Sequence, residues 1–201
     1  MTPVGRRPGN QDTRETILAA ARQAFAERGF DRASIRQIAT AAAVDPALVH
    51  HYFGRKDALF REATAIPVDP DVVVPHVFAE GPDAAPERLL RTFLGVWEDP
   101  ETGPMMLSLL RSAYADPTLA ALVREFFLSQ IVRRVRPHLM GRVPAEEIPT
   151  RLALVASTLF GLASARYVLR LGPLAELDAE AVAKMAAPTV RHYLLGELTS
   201  S

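Results

Sequence analysis

Apolar residues along the chain recur at spacings of three and four, the period of one helix face, and strict alternation is confined to the short stretch Val68–Val77. The spacing predicts helices near residues 12–28, 34–42, 46–52, 57–65, 86–98, 102–114, 117–138, 147–171 and 178–197, with a short one around 70–79. Prolines fall mostly between these stretches, among them Pro67, Pro70, Pro75, Pro82, Pro86, Pro117, Pro137 and Pro173. There a fixed φ and a missing N–H start or stop a helix. Five prolines crowd into Ile66–Pro86, which reads as the joint between a small N-terminal module and a larger body. The chain is therefore predicted to be all-α, without an internal repeat.

The first three helices carry the most specific local signals. Asp12 with Glu15 suggests an N-terminal cap, Ile17, Ala21, Ala24 and Phe25 line one side, and Gly29 is placed to end the helix in a left-handed cap with Phe30 folding back. Ser34 and Gln37 form a capping-box pair ahead of Ile35, Ile38, Ala39 and Ala42, whose spacing puts them on one inward face. A turn at Ala43-Val44 leads to Asp45-Pro46, an N-cap followed by proline at the first helical position. In the third helix Leu48, Val49, Tyr52 and Phe53 form an apolar back, while Pro46, Ala47, His50 and His51 face the other way. A short helix with such a front suits a DNA major groove, about 12 Å wide, and Arg55 and Lys56 follow where they could grip the flanking backbone. The same helices also fit a plain helical core. Adjacent His50 and His51 diverge by about 100° on a helix and lack the i, i+4 spacing that chelates zinc, so no metal site is expected.

Composition narrows the picture. Of 201 residues, 49% are hydrophobic and 23% charged, as in an ordinary globular protein, and there is no cysteine, which removes disulfides and thiolate chemistry. The net charge of zero conceals a split: residues 1–60 hold nine Lys/Arg against six Asp/Glu, and the remainder 14 against 17. A mildly basic front fits a nucleic-acid-binding head. Met1–Asn10 is polar, with Arg6 and Arg7 and no apolar run behind it, and reads as a flexible basic arm without a secretion signal, so a cytoplasmic location is expected. The uncharged apolar run Leu152–Ala165, 14 residues, is too short to span a bilayer, and no membrane association is expected.

In the body, Phe93 and Trp97 share a helix face, and Met106, Leu110 and Tyr114 lie on the next helix. With Phe127 and Phe160 they outline a ligand pocket whose polar handles would be Arg111, Ser157, Thr158 and Arg166. The helix at 147–171 is apolar nearly all round, which suggests burial both in its own core and against a second copy. The expected dimer interface is Leu152, Ala156, Leu159, Ala163 and Tyr167 there, with Val182, Met185, Ala186, Val190 and Tyr193 on the last helix, two helices per subunit making a four-helix contact. A larger monomeric core is the alternative. No Gly-x-Ser-x-Gly elbow, phosphate loop or His-Glu-x-x-His is present, so neither an enzyme nor a cofactor is expected.

Thr13–Phe60, with Ile17-Leu18-Ala19-Ala20-Ala21, Phe25, Gly29-Phe30, Ser34-Ile35, Ile38-Ala39, Ala43-Val44, Leu48-Val49, Tyr52-Phe53 and Lys56-Asp57-Ala58-Leu59-Phe60, resembles the helix-turn-helix of TetR/AcrR-type transcriptional repressors. The resemblance implies a helix-turn-helix DNA-binding domain over 11–71, with the motif at about 34–53, and a ligand-binding and dimerisation domain over 72–201. It implies a homodimer on a pseudo-palindromic operator, released when a small molecule enters the C-terminal domain. By position, Ser34, Arg36 and Lys56 would touch phosphates, Pro46, Ala47, His50 and His51 would face the bases, and Arg6-Arg7 could enter a minor groove. His50 stands where the family usually has tyrosine. The rival reading is an all-helical small-molecule-binding protein or enzyme that ignores DNA.

Overall fold

The computed structural model describes residues 11–198, so the expected arm with Arg6 and Arg7 lies outside the described residues. The chain forms α1 (Gln11–Arg32), α2 (Ile35–Ala41), α3 (Pro46–Phe53), α4 (Lys56–Thr64), α5 (Pro70–Phe78), α6 (Ala85–Glu98), α7 (Thr102–Ala115) and α8 (Pro117–Phe126). A π-helical turn (Phe127–Val132) leads into α9 (Arg133–Leu139); α10 (Ile148–Ala163) runs into a second π-helical turn (Ser164–Val168), and α11 (Gly172–Glu176) and α12 (Ala179–Leu195) follow. No strand forms among the described residues, as the all-α expectation requires.

Two compact units result. The first takes residues up to Ile66 together with Ser112–Phe126, the second Pro67–Arg111 and Phe127 onward. A division in chain order, at about residue 71, does not foresee that 112–126 groups with the N-terminal helices. The reason is visible in the first unit's core, where Phe60 meets Phe25 edge-on at 4.8 Å, Phe30 at 5.1 Å and Phe126 of α8 at 6.3 Å. Ile17, Leu18, Ala21, Ile38, Ala39, Val49, Phe53 and Leu59 close around them. Gly29 does not take the expected left-handed cap: at φ 76°, ψ 167° it kinks α1, which then continues to Arg32. The backbone N–H freed at the kink, that of Phe30, donates to Glu125 Oε1 of α8 at 2.7 Å. Helix α1 begins at Gln11, so Asp12 lies within its first turn rather than capping it, and Glu15 pairs with Arg22 at 2.8 Å instead of closing a capping box.

The second unit packs α6 and α10 against α12 over a core that includes Leu90, Leu94, Leu152, Val155, Val182, Val190 and Leu194. Arg91 on α6 bonds both carboxylate oxygens of Glu180 on α12 at 2.7 Å. Arg151, 3% exposed, donates to the carbonyls of Tyr193 and Gly196 at the end of α12 and to Glu147. At the α6–α7 corner, Asp99 Oδ1 accepts from the N–H group of Thr102 and then from that of Glu101, which holds its carboxyl below the ordinary value. Gly103 permits the close approach there, since a Cβ would stand 2.4 Å from the Trp97 carbonyl oxygen.

Several expectations change. Pro75 and Pro137 lie inside α5 and α9 rather than between helices. Four residues assigned to a dimer face, Leu152, Ala163, Val182 and Val190, are buried within the chain's own core and have no surface left for a second copy. Met185 is instead 70% exposed. The run Leu152–Ala165 is part of a longer helical stretch, Ile148–Val168, whose 21 residues and mean hydropathy of 1.4 meet the length and apolarity needed to cross a membrane. A single helix of that kind is weak grounds for a membrane span, because a helix covered by protein on two sides has the same composition.

Candidate nucleic-acid interface

The α2–turn–α3 segment is built from local chemistry. Ser34 Oγ accepts from the Gln37 N–H at 3.3 Å and the Gln37 side chain accepts from the Ser34 N–H at 3.0 Å, so the expected capping box is present. The turn is closed by the Ala43 N–H to Thr40 and the Val44 N–H to Ala39, at 3.2 and 3.0 Å, with Ala43 in the left-handed region at φ 53°. Asp45 Oδ1 accepts from the Ala47 N–H at 2.7 Å, and Pro46 occupies the first helical position, where its missing donor costs nothing.

From that start α3 divides as its arithmetic requires. Val49 and Phe53 are buried and Leu48 and Tyr52 half-buried, whereas Ala47, His50 and His51 are exposed and Pro46 is half-buried. Ser34, Arg36 and Arg55 are exposed on the same stretch of chain. Two side chains are tied more closely than sequence suggests. His50 Nδ1 lies 2.8 Å from the Gly54 carbonyl oxygen, which can only accept, so Nδ1 carries a hydrogen and Nε2 is the atom free to meet a partner. Lys56 is half-buried, with its ammonium 4.5 Å above the Phe30 ring and donating to the Asp31 carbonyl at 3.3 Å, which fixes this cation beside the kink in α1.

The second unit contains a cavity of about 200 Å³. Of the residues expected to line a pocket, Phe93, Trp97, Met106, Phe127 and Phe160 do so. Leu110 packs in a separate small cluster with Trp97 and Ala163, and Arg111 and Tyr114 are exposed and not among the wall residues. Ser157 and Thr158 spend their hydroxyls on the Leu154 carbonyl of their own helix, at 2.8 and 3.0 Å. Arg166 is buried as a clasp: Nη2 meets Glu98 at 2.8 Å, Nη1 the Leu174 carbonyl at 2.5 Å and Nε the Tyr167 hydroxyl at 3.3 Å. Burial pushes that phenol up to about 12, against an opposing pull from Arg166. None of these expected polar handles therefore reaches the cavity. Sequence reading missed Leu89, Thr92, Val96, Ile131 and Val155 in its wall. The signal was available: Leu89 and Val96 flank Phe93 at helical spacing, and Ile131 and Val135 follow Phe127 at steps of four.

Comparison with known proteins bears on both parts. Residues 17–63 match the family model for bacterial regulatory proteins of the tetR family, and residues 83–194 match the tetracyclin repressor-like C-terminal domain. The HTH-type transcriptional regulator UidR of Escherichia coli K12 is 43% identical over 51 residues, 25% of this chain and 26% of that protein. An uncharacterized HTH-type transcriptional regulator of Mycobacterium tuberculosis is 31% identical over 137 residues, 66% of this chain and 62% of its own length. The chain thus matches about a quarter to under two thirds of these curated relatives. A TetR-family regulator from Streptomyces coelicolor A3, whose crystal structure is known, is 36% identical, with 95% of this chain and 99% of that one covered at a TM-score of 0.41. With the C-terminal match alone spanning more than half of its length, the chain belongs to the TetR family of bacterial regulatory proteins.

Proposed function

We propose that the chain is a ligand-responsive transcriptional repressor. It binds a pseudo-palindromic operator as a homodimer in the cytoplasm and leaves it when a small molecule fills the cavity of the second unit. The observation that carries this reading is α3: capped by Asp45, anchored by Val49 and Phe53, and presenting Ala47, His50 and His51 outward. Those side chains with Pro46 read base edges in the major groove, while Ser34, Arg36, Arg55 and Lys56 hold the phosphates on either side. A two-fold pair of such heads calls for half-sites about 34–36 Å apart. The UidR and mycobacterial relatives are described as transcriptional regulators, which supports the same assignment.

For the dimer, the exposed faces replace the buried residues. On α10 Ala153, Ser157 and Gly161 are exposed and Leu154 is half-buried; on α12 Met185 and Pro188 are exposed. Only 28% of the apolar window within Ile148–Val168 is buried in the chain itself, and a second copy would cover the rest. Ala156, Leu159, Tyr167, Ala186 and Tyr193, half-buried, would form its margin. A ligand releases DNA only by binding the released conformation more tightly, so it must alter the separation or angle of the two heads rather than the base-reading residues. The test is selection of bound duplexes from a random pool. The reading expects an inverted repeat with that half-site spacing and binding that weakens steeply with salt; a chain that ignores every duplex at low ionic strength refutes it.

A further inference from the structure

The cavity's wall chemistry restricts what fits inside it. Its volume of about 200 Å³ somewhat exceeds the roughly 150 Å³ apolar cavity that accepts benzene, which suits a molecule of about eight to twelve heavy atoms. No charged side chain lines it. Thr92, the one hydroxyl in the wall, already donates to the Arg88 carbonyl at 2.8 Å. The nearby cations are committed: Arg88 bonds the His76 carbonyl and Glu80, and Arg166 is spent on Glu98, Leu174 and Tyr167. A carboxylate or ammonium entering this space would lose its hydration without gaining a partner.

One wall residue has a polar group left over, tucked behind the cavity surface rather than open to it. Trp97, 6% exposed, has its indole Nε1–H buried without an acceptor, while its ring stacks on Tyr167 at 5.1 Å and 5°. An orphaned buried donor is expensive, and natural structures rarely keep one without a use. We propose that the cavity takes an uncharged, mainly apolar molecule carrying one hydrogen-bond acceptor, such as a ketone, ester or ether oxygen, and that on binding the wall side chains covering the indole shift so that this oxygen accepts from Trp97 Nε1. The proposal rests on the reading of the chain as a ligand-responsive regulator and adds the chemical class of the effector.

Three probes of matched size separate the alternatives: acetophenone, which has the acceptor; α-methylstyrene, in which a methylene replaces the oxygen; and benzoate, which is charged. Calorimetric titration of the full chain is expected to show acetophenone binding roughly 3- to 10-fold more tightly than α-methylstyrene, the worth of one hydrogen bond, and no saturable binding of benzoate. In Trp97→Phe the two neutral probes should become equal. Trp97 is the single tryptophan, so the indole N–H marker band in the ultraviolet resonance Raman spectrum of the unmutated chain reads the same bond directly. That band should shift with acetophenone and stay put with α-methylstyrene. Equal affinity for the two neutral probes, a preference that survives in Trp97→Phe, an unshifted marker band, preferential binding of benzoate, or no binding of any probe would each overturn the proposal. The same preparation is titrated with its selected duplex. Duplex binding with benzoate preferred defeats the effector class alone, whereas loss of all duplex binding defeats the regulator reading while the probe affinities still decide the cavity chemistry.

Discussion

His50 gives the sharpest test of the interface, because its hydrogen bonding dictates which base edge it can touch. The Gly54 carbonyl 2.8 Å from Nδ1 takes one ring hydrogen, so Nε2 meets the duplex as a bare lone pair. In the major groove a lone pair finds a donor only at the amino group of adenine or cytosine, whereas the acceptors of guanine and thymine leave it unpaired. One such bond is worth about 0.5–1.5 kcal/mol, or roughly 2- to 10-fold per head. Fluorescence anisotropy at fixed pH and ionic strength, on the selected duplex and on versions with each adenine or cytosine of the half-site replaced, should find one position where the parent chain loses that factor and His50→Ala, already weaker on the selected duplex, does not. His51→Ala, the control for the neighbouring imidazole, should keep the parent's preference at that position. Identical base preferences for the parent chain and His50→Ala, or a preference for guanine or thymine at the position that His50→Ala no longer distinguishes, would refute the tautomer argument.

Three further outcomes follow from the packing. Arg151→Met removes a buried guanidinium that bonds Glu147, Tyr193 and Gly196, and urea denaturation should show a loss of about 3 kcal/mol; a change within experimental error would mean the clasp is ornamental. Gly103→Ala sets a methyl 2.4 Å from the Trp97 carbonyl, so it should cost about 1–3 kcal/mol and shift Trp97 fluorescence, and an unchanged emission spectrum would contradict the close approach. Glu180 is held down to about 2, chiefly by its hydrogen bond from Arg91 and then by Lys184. Because its folded value lies below the ordinary one, its stabilising contribution is present above about pH 4.5 and fades as the pH falls toward 2. Glu180→Gln should flatten that acid limb of the stability curve, and a limb of unchanged steepness would show that the pair contributes nothing.

What was legible in the sequence was local. Ser34 with Gln37 and Asp45 with Pro46 are complete instructions within four residues, and the structure executes both. The grouping of 112–126 with the N-terminal helices was not legible. It depends on Phe126 reaching Phe60 and on Glu125 accepting from the Phe30 N–H, a contact between residues 95 positions apart. The π-helical turns at 127–132 and 164–168 likewise leave no mark in apolar spacing, because one wide turn shifts the register without changing which residues are apolar. Pro75 and Pro137 read as helix boundaries by type, yet each lies within a helix.

The candidate sites divide along the same line, for a more specific reason. On α10 and α12 an apolar spacing says that a face is covered, but not whether its cover is the same chain or another, which is why Leu152 and Val190 could pass for interface residues while sitting in the core. Arginines in the apolar stretch were equally ambiguous. Arg166 looks like a ligand handle because a cation in such surroundings needs a partner, and much of its partnership is a main-chain oxygen, that of Leu174. Arg151 is held in the same way by the carbonyls of Tyr193 and Gly196. A carbonyl belongs to every residue and has no signature in the alphabet of side chains, so sequence alone overestimates how many buried polar groups await a ligand. The reverse inference is stronger: when the carbonyls have been placed and Trp97 Nε1 still has none, its lack of a partner is a property of the fold, and it directs attention to the cavity wall rather than to the charged residues around it.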